Sequence, residues 1–132
     1  MESTTVIVPS AASATAIYDY AANPEHLPRW AGGLCKSVAQ FDDRWIVDSP
    51  MGPIDFAFAE RNAFGVLDHD VVFEDGRRFH NPMRVIPNGA GSEIHFTVFR
   101  AEDTPEADFK RDVGLVRADL ERLAAIVEGR LV

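Results

Sequence analysis

The chain reads as an α+β domain: a curved antiparallel sheet of about seven strands wrapped around one long C-terminal helix, with two short helices between the first two strands. The first sign is a stripe near the C-terminus. Apolar residues fall at Phe109, Val113, Val116, Leu120, Leu123, Val127 and Leu131, in steps of three and four, which puts them on one side of an α-helix. The second is a change of period. Between residues 34 and 100 the apolar residues alternate, in runs separated by short turns rich in Asp, Gly and Pro. Strands joined by such turns form an antiparallel meander, and one face of it must bury the terminal stripe.

The long helix is predicted over 105–128, about 36 Å at 1.5 Å per residue. Thr104 suits the N-cap and Pro105 the first helical position, Glu106 and Asp108 complement the positive end, and Gly129 is a stop signal. Lys110, Arg111, Arg117, Glu121 and Arg122 mark the wet face. Gly114 inside the helix costs ~1 kcal/mol relative to Ala. Two readings of it are open: close packing against a neighbour, or room for a ligand.

From the N-terminus, residues 4–8 are β-branched and closed by Pro9, a strand signal. Residues 10–22 are Ala-rich, with Ser10 as a cap, and end at Asn23-Pro24. Residues 24–30 form a second short helix with Leu27 and Trp30 on one side, broken by Gly32-Gly33. Strands follow at 34–41 and 44–48 around Asp42-Asp43, and at 54–61 after a Pro50-to-Pro53 turn. A four-residue loop there sets Val47 opposite Phe56 and Trp45 opposite Phe58. It also sets Asp48 opposite Asp55, which is unfavourable.

Strands 65–73 and 77–87 flank Glu74-Asp75-Gly76. A two-residue loop would pair Val71 with His80 and Leu67 with Arg84. A three-residue loop with Gly76 left-handed pairs Val71 with Phe79, His69 with Asn81 and Leu67 with Met83. Only the second keeps one face apolar, so it is the expected register. It places Asp70 opposite His80 on the outer face. The last strand, 92–100, has Ile94, Phe96 and Val98 on one side and His95, Thr97 and Phe99 on the other. Both sides suit burial, and the pattern does not choose between them.

A chain of 132 residues with a single apolar pattern is one domain over 1–132. Its net charge of −8 argues against nucleic-acid and anionic-membrane partners, which favour a basic face. The single cysteine, Cys35, rules out an internal disulfide and fits a reducing compartment. Residues 1–10 lack the pattern of a secretory signal, and no apolar run reaches the ~20 residues of a membrane helix. The expected setting is cytoplasmic, with no membrane insertion and with homo-oligomers allowed.

Three stretches carry a family resemblance. They are Tyr18-Asp19-Tyr20-Ala21-Ala22-Asn23-Pro24-Glu25-His26-Leu27-Pro28-Arg29-Trp30, then Ser49-Pro50-Met51-Gly52-Pro53, then Asn81-Pro82-Met83-Arg84-Val85. The sequence resembles the START-like (SRPBCC) superfamily over nearly its whole length, in the bacterial branch of polyketide cyclase/dehydrase-like proteins. The resemblance implies the helix-grip fold. For function it implies a range: binding of lipids, hormones or polyketides, cyclase activity, or assistance to chaperones. It carries no fixed catalytic signature onto these residues.

The chemistry is therefore read from the side chains. His69 is the only catalytic candidate. Its register turns it toward the concave face, opposite Asn81, among Leu67, Val71, Phe79 and Met83. A histidine there can be a core residue bonded to Asn81, a ligand contact, or an acid–base group. Asp68 and Asp70 flank it but alternate to the other face, and Arg84 points outward. His26, His80 and His95 lie on separate elements without metal-site spacing, so no metal is expected. Cys35 has no base beside it and reads as a small buried hydrophobe. No nucleophile elbow or phosphate loop is present, since Gly89-Ala90-Gly91 is a turn between strands, and no cofactor is expected.

The aromatic excess supplies the expected pocket: Trp45, Met51, Phe56, Phe58, Leu67, Phe79, Met83 and Phe96 from the strands, Val116 and Leu120 from the helix, with His69 and Asn81 as polar groups. With one titratable group in the cavity, binding of a small hydrophobic molecule leads. A polyketide cyclase or dehydratase using the same pocket is the alternative, and a protein–protein adaptor with a filled core is the third.

Overall fold

The computed structural model describes residues 1–32 and 35–131. Among the described residues eight strands form two antiparallel sheets, of order β1-β8-β7 and β2-β3-β4-β5-β6. In chain order these are β1 Ser3–Ser10, α1 Ala14–Ala21, α2 Leu27–Trp30, β2 Ser37–Phe41, β3 Arg44–Ser49, β4 Gly52–Phe58, β5 His69–Val72, β6 Arg78–Asn81, β7 Met83–Asn88, β8 Gly91–Phe99 and α3 Glu106–Val127. The expected count of seven is corrected to eight because the run 77–87 is divided at Pro82. Proline has no N–H to donate to a ladder. Upstream of it the chain pairs with β5, and downstream with β8. The Pro82 carbonyl accepts from the Thr97 amide, which ties the break to the other sheet.

The two sheets are also joined beside this break. The Leu67 amide donates to the Met83 carbonyl, and the Val85 amide to the Gly65 carbonyl. Gly65 has φ +72, and a Cβ there would lie 2.2 Å from the Val85 carbonyl oxygen, so the strand crossing requires glycine.

The β5–β6 register is the expected one, with His69 opposite Asn81, Asp70 opposite His80 and Val71 opposite Phe79. Gly76 has φ +89, and nothing lies within 4 Å of the position its Cβ would take. Gly76→Val therefore meets strain without a clash, and should cost ~1–2 kcal/mol in a denaturant titration. The β3–β4 register differs from expectation. Trp45 faces Phe56, Val47 faces Ile54, and Asp48 faces Pro53 rather than Asp55. The loop shrinks to Pro50-Met51 because Ser49 closes it: its hydroxyl donates to the Gly52 carbonyl at 2.7 Å and accepts from the Met51 amide at 3.1 Å. Asp55 instead receives Arg44 at 2.7 Å. The slip is by two residues, so each side chain keeps its face.

The inner face of β8 carries Ile94, Phe96 and Val98. Phe96 sits between Val6 and Met83, and Ile94 between Val8 and Val85. Pro9 lies within β1 without cost because β1 is an edge strand.

The first and last helices start later than the sequence suggests. Ser13, not Ser10, caps α1 by accepting from the Ala16 amide. Ser10 remains in β1, and its hydroxyl donates to Glu128 at 2.7 Å. The second short helix opens with a 3₁₀ turn, Pro24–His26, capped by Asn23. Gly33 and Leu34, the predicted break and strand start, lie outside the described residues. Pro105 occupies the N-cap of α3 without a side-chain bond, so Thr104 does not cap it. At the other end the Gly129 and Arg130 amides close onto Ile126 and Ala125, with Gly129 at φ +79, a Schellman ending. Leu131 falls beyond this ending and is exposed.

Phe109, Leu120, Leu123 and Ala124 of α3 are buried. The helix packs most closely on β1, and also on β8, α1 and α2. Gly114 neither packs on a neighbour nor makes room inside: it is exposed, with nothing within 4 Å of where its Cβ would be.

Candidate functional site

Because α3 lies against β1, it stands away from the five-stranded sheet, and a cavity of about 350 Å³ opens between them. Its floor is strand: Val47, Phe56, His69, Asn81, Phe96 and Val98. Its roof is Asp112, Leu115, Val116, Asp119 and Leu120 of α3. One end is closed by Leu27, Trp30, Ala31 and Cys35. Met51 and Leu115 border the cavity while remaining 63% and 50% exposed, so the opening lies between the β3–β4 turn and the middle of α3.

His69 is the buried polar group in the floor, and Asn81 the half-buried one. His69 is 6% exposed and boxed by aromatic rings. Phe56 stacks on it at 5.0 Å between centroids, and Phe58 and Phe96 meet it edge-on at 5.6 and 5.5 Å. Its Nδ1 is 3.0 Å from the Leu67 carbonyl. A carbonyl only accepts, so Nδ1 carries the proton and Nε2 presents a lone pair. Among the described residues none is hydrogen-bonded to Nε2. Burial drives the pKa down to about 4, against a weaker opposing effect of the Leu67 hydrogen bond. The imidazole is therefore neutral at pH 7. The bond to Asn81, one of the three readings of this histidine, is not formed: Asn81 borders the cavity opposite His69, but the histidine is held by its own strand.

Trp30 stands at the closed end. It is 3% exposed, borders the cavity, and its indole N–H has no partner among the described residues. Arg122 holds this corner, donating to the Trp30 carbonyl at 2.8 Å and to Asp119 at 2.9 Å. Cys35 is buried, and burial, with help from Asp48, raises its thiol to about 11. Such a thiol is not a nucleophile at neutral pH.

Of the residues expected at the site, His69, Asn81, Met51, Phe56, Phe96, Val116 and Leu120 border the cavity. Trp45, Phe58, Leu67, Phe79 and Met83 do not. Trp45 borders a separate surface depression beside Asp43 and Arg78. Phe58 supports the histidine ring from beside it. Leu67 and Met83 are core, packed where the two sheets join. Phe79 shares a face with Val71 but sits on edge strand β6, 38% exposed against Phe73. Asp112 and Asp119 were not foreseen, although they stand four before and three after Val116, a helical spacing. A stripe drawn from apolar residues alone passes over them. Among the described residues no group of three His, Cys, Asp or Glu side chains could hold a metal ion, and no helix is long and apolar enough to cross a membrane.

No family model matches this sequence, and no curated protein does. Solved structures do. The Aha1 dimer protein of Colwellia psychrerythraea superposes with a TM-score of 0.77 at 12% identity, covering 98% of each chain. XoxI of Bacillus cereus gives 0.75 at 13% identity, over 96% of each. A START superfamily protein of Mycobacterium smegmatis gives 0.63 at 20% identity, over 98% of this chain and 96% of that one. The chain has the helix-grip fold of START-like proteins. In this helix-grip domain the grip is asymmetric: β1 and β8 hold α3, while β3, β4 and β5 form the far wall of the cavity.

Proposed function

We propose that this protein binds a small hydrophobic molecule between α3 and the five-stranded sheet, with the polar end of the ligand at His69. The observation that carries this reading is a buried, neutral imidazole in an apolar cavity, its Nε2 without a partner among the described residues. Nε2 opens into the cavity, where a ligand's polar group can bond to it while the apolar remainder is buried against the lining. The volume is at the small end of the range for small-molecule sites. A filled-core adaptor has no use for such a cavity.

The cyclase or dehydratase reading needs a proton donor and acceptor of suitable strength. A general acid or base works best with its pKa near the working pH. A histidine at about 4 and a thiol at about 11 are both far from neutrality. The binding reading is therefore preferred.

The test is calorimetric titration of two probes, a hydrophobe with a hydroxyl head and a purely apolar dye, into the parent and His69→Ala. The variant should weaken the first by ~1–3 kcal/mol, the cost of an unmet buried hydrogen bond, and barely change the second. Equal losses would mean that His69 only supports packing. No binding of either probe by the parent would favour the adaptor, and turnover of a model polyketide that vanishes in the variant would favour the enzyme.

A further inference from the structure

The cavity has a definite electrostatic character, and this narrows the class of molecule it accepts. Its lining includes two carboxylates, Asp112 and Asp119, and among the described residues no lysine or arginine. Arg122 is the cation bonded at this corner, and it is occupied: Asp119 and the Trp30 carbonyl both take Nη1. Asp112 is exposed on the roof near the opening. In the floor, His69 offers a lone pair at Nε2; the Trp30 indole N–H at the closed end is itself fully buried and is not open to the cavity.

Resting on the binding reading above, we infer that the cavity selects hydrophobic molecules that carry a hydroxyl at the buried end and no negative charge, and that it rejects carboxylates. A hydroxyl is the simplest uncharged group that donates to Nε2. A carboxylate accepts only. At His69 it would set its charge against a lone pair, and on entry it would pass Asp112. It would also shed its water with no lining cation to replace it, which is costly in an apolar site. Protonating His69 offers no easy escape, because burial opposes the imidazolium. A protonated amine suffers none of the repulsion and gains from Asp112 if its charge stays near the opening.

The experiment uses the whole protein, the uncharged dye Nile red as reporter, and three matched competitors: 2-naphthylmethanol, 2-naphthylmethylamine and 2-naphthoate. At pH 7 the alcohol and the amine should each displace the dye at concentrations about tenfold or more below the carboxylate. Raising the salt should narrow the gap between amine and carboxylate. Asp112→Asn, at an exposed helix position, should narrow it as well. Carboxylate binding as tight as that of the alcohol, or tighter, overturns the selectivity while leaving the binding reading intact. Failure of the parent to bind Nile red or any competitor overturns both.

Discussion

Leu123→Ala should lower the unfolding free energy by ~3–5 kcal/mol, and Leu120→Ala by ~2–4 kcal/mol, within the usual span for buried leucines. Both are fully buried on the stripe of α3. They differ in what surrounds them. Leu123 belongs to the core and does not border the cavity, so its removal leaves a new hole lined by well-packed neighbours. Leu120 already has the cavity on one side and has fewer contacts there to lose. Urea titrations of both variants beside the parent decide the matter. The slope should be unchanged if the transition stays two-state. A midpoint for Leu123→Ala equal to the parent's would show that α3 is not part of the cooperative core. A larger loss for Leu120→Ala than for Leu123→Ala would contradict the placement of the cavity. Occupation of the cavity should reverse part of the Leu120→Ala loss and little of the other, since a bound molecule stabilises the folded state it binds.

The fold was legible in the sequence wherever one local rule left a single option. The β5–β6 register is such a case: of the two loops around Gly76, only one sets Leu67 and Val71 opposite apolar partners. The β3–β4 register was not, because a slip of two residues preserves every side chain's face. The deciding bond, from the Ser49 hydroxyl to the Gly52 carbonyl, is invisible to hydrophobic pattern. Pro82 carried a readable signal that the run 77–87 could not be one central strand. The start of α1 differs from the expected one because Ser10 and Ser13 both suit a cap, and a tertiary bond decides between them. Ser10 was drawn off to Glu128, at the far end of the chain.

The candidate site was legible in outline and not in its chemistry. That His69 and Asn81 face inward followed from alternation. That His69 bonds to the Leu67 carbonyl rather than to Asn81 depends on a side-chain rotation that the sequence does not encode locally. Trp30 borders the cavity because Arg122, ninety-two residues away, holds its carbonyl. Asp112 and Asp119 face the cavity because α3 lies against β1 and leaves that side uncovered. Each of these is a long-range consequence, and each bears on what the pocket accepts.

The same burial that gives His69 its free lone pair makes the stability of the protein depend on pH in a particular window. The unfolded chain takes up a proton at His69 near the ordinary value of 6.5, whereas the folded chain does so only at about 4. Between those values the unfolded state binds more protons, so stability falls as the pH is lowered. The contribution is complete above about pH 6.5, is lost progressively down to about pH 4, and changes no further below that. A gap of this size corresponds to on the order of 3 kcal/mol. The carboxylates held low act in a different range. Burial pushes Asp68 up, but the hydrogen bonds from Arg84 and the Met83 amide outweigh it. Glu128 is lowered first by the Ser10 hydroxyl and then by Arg130. Both lose their contribution as the pH falls through their lowered values, beneath the ordinary carboxylate range. The upper half of the window thus separates His69 from these carboxylates, and the comparison with His69→Gln separates it from the other three histidines. Urea midpoints of the parent should decline from pH 7 to pH 5, and those of His69→Gln should decline much less. A parallel decline in the two proteins would place the titration elsewhere and would remove the basis for a neutral His69 at the polar end of the cavity.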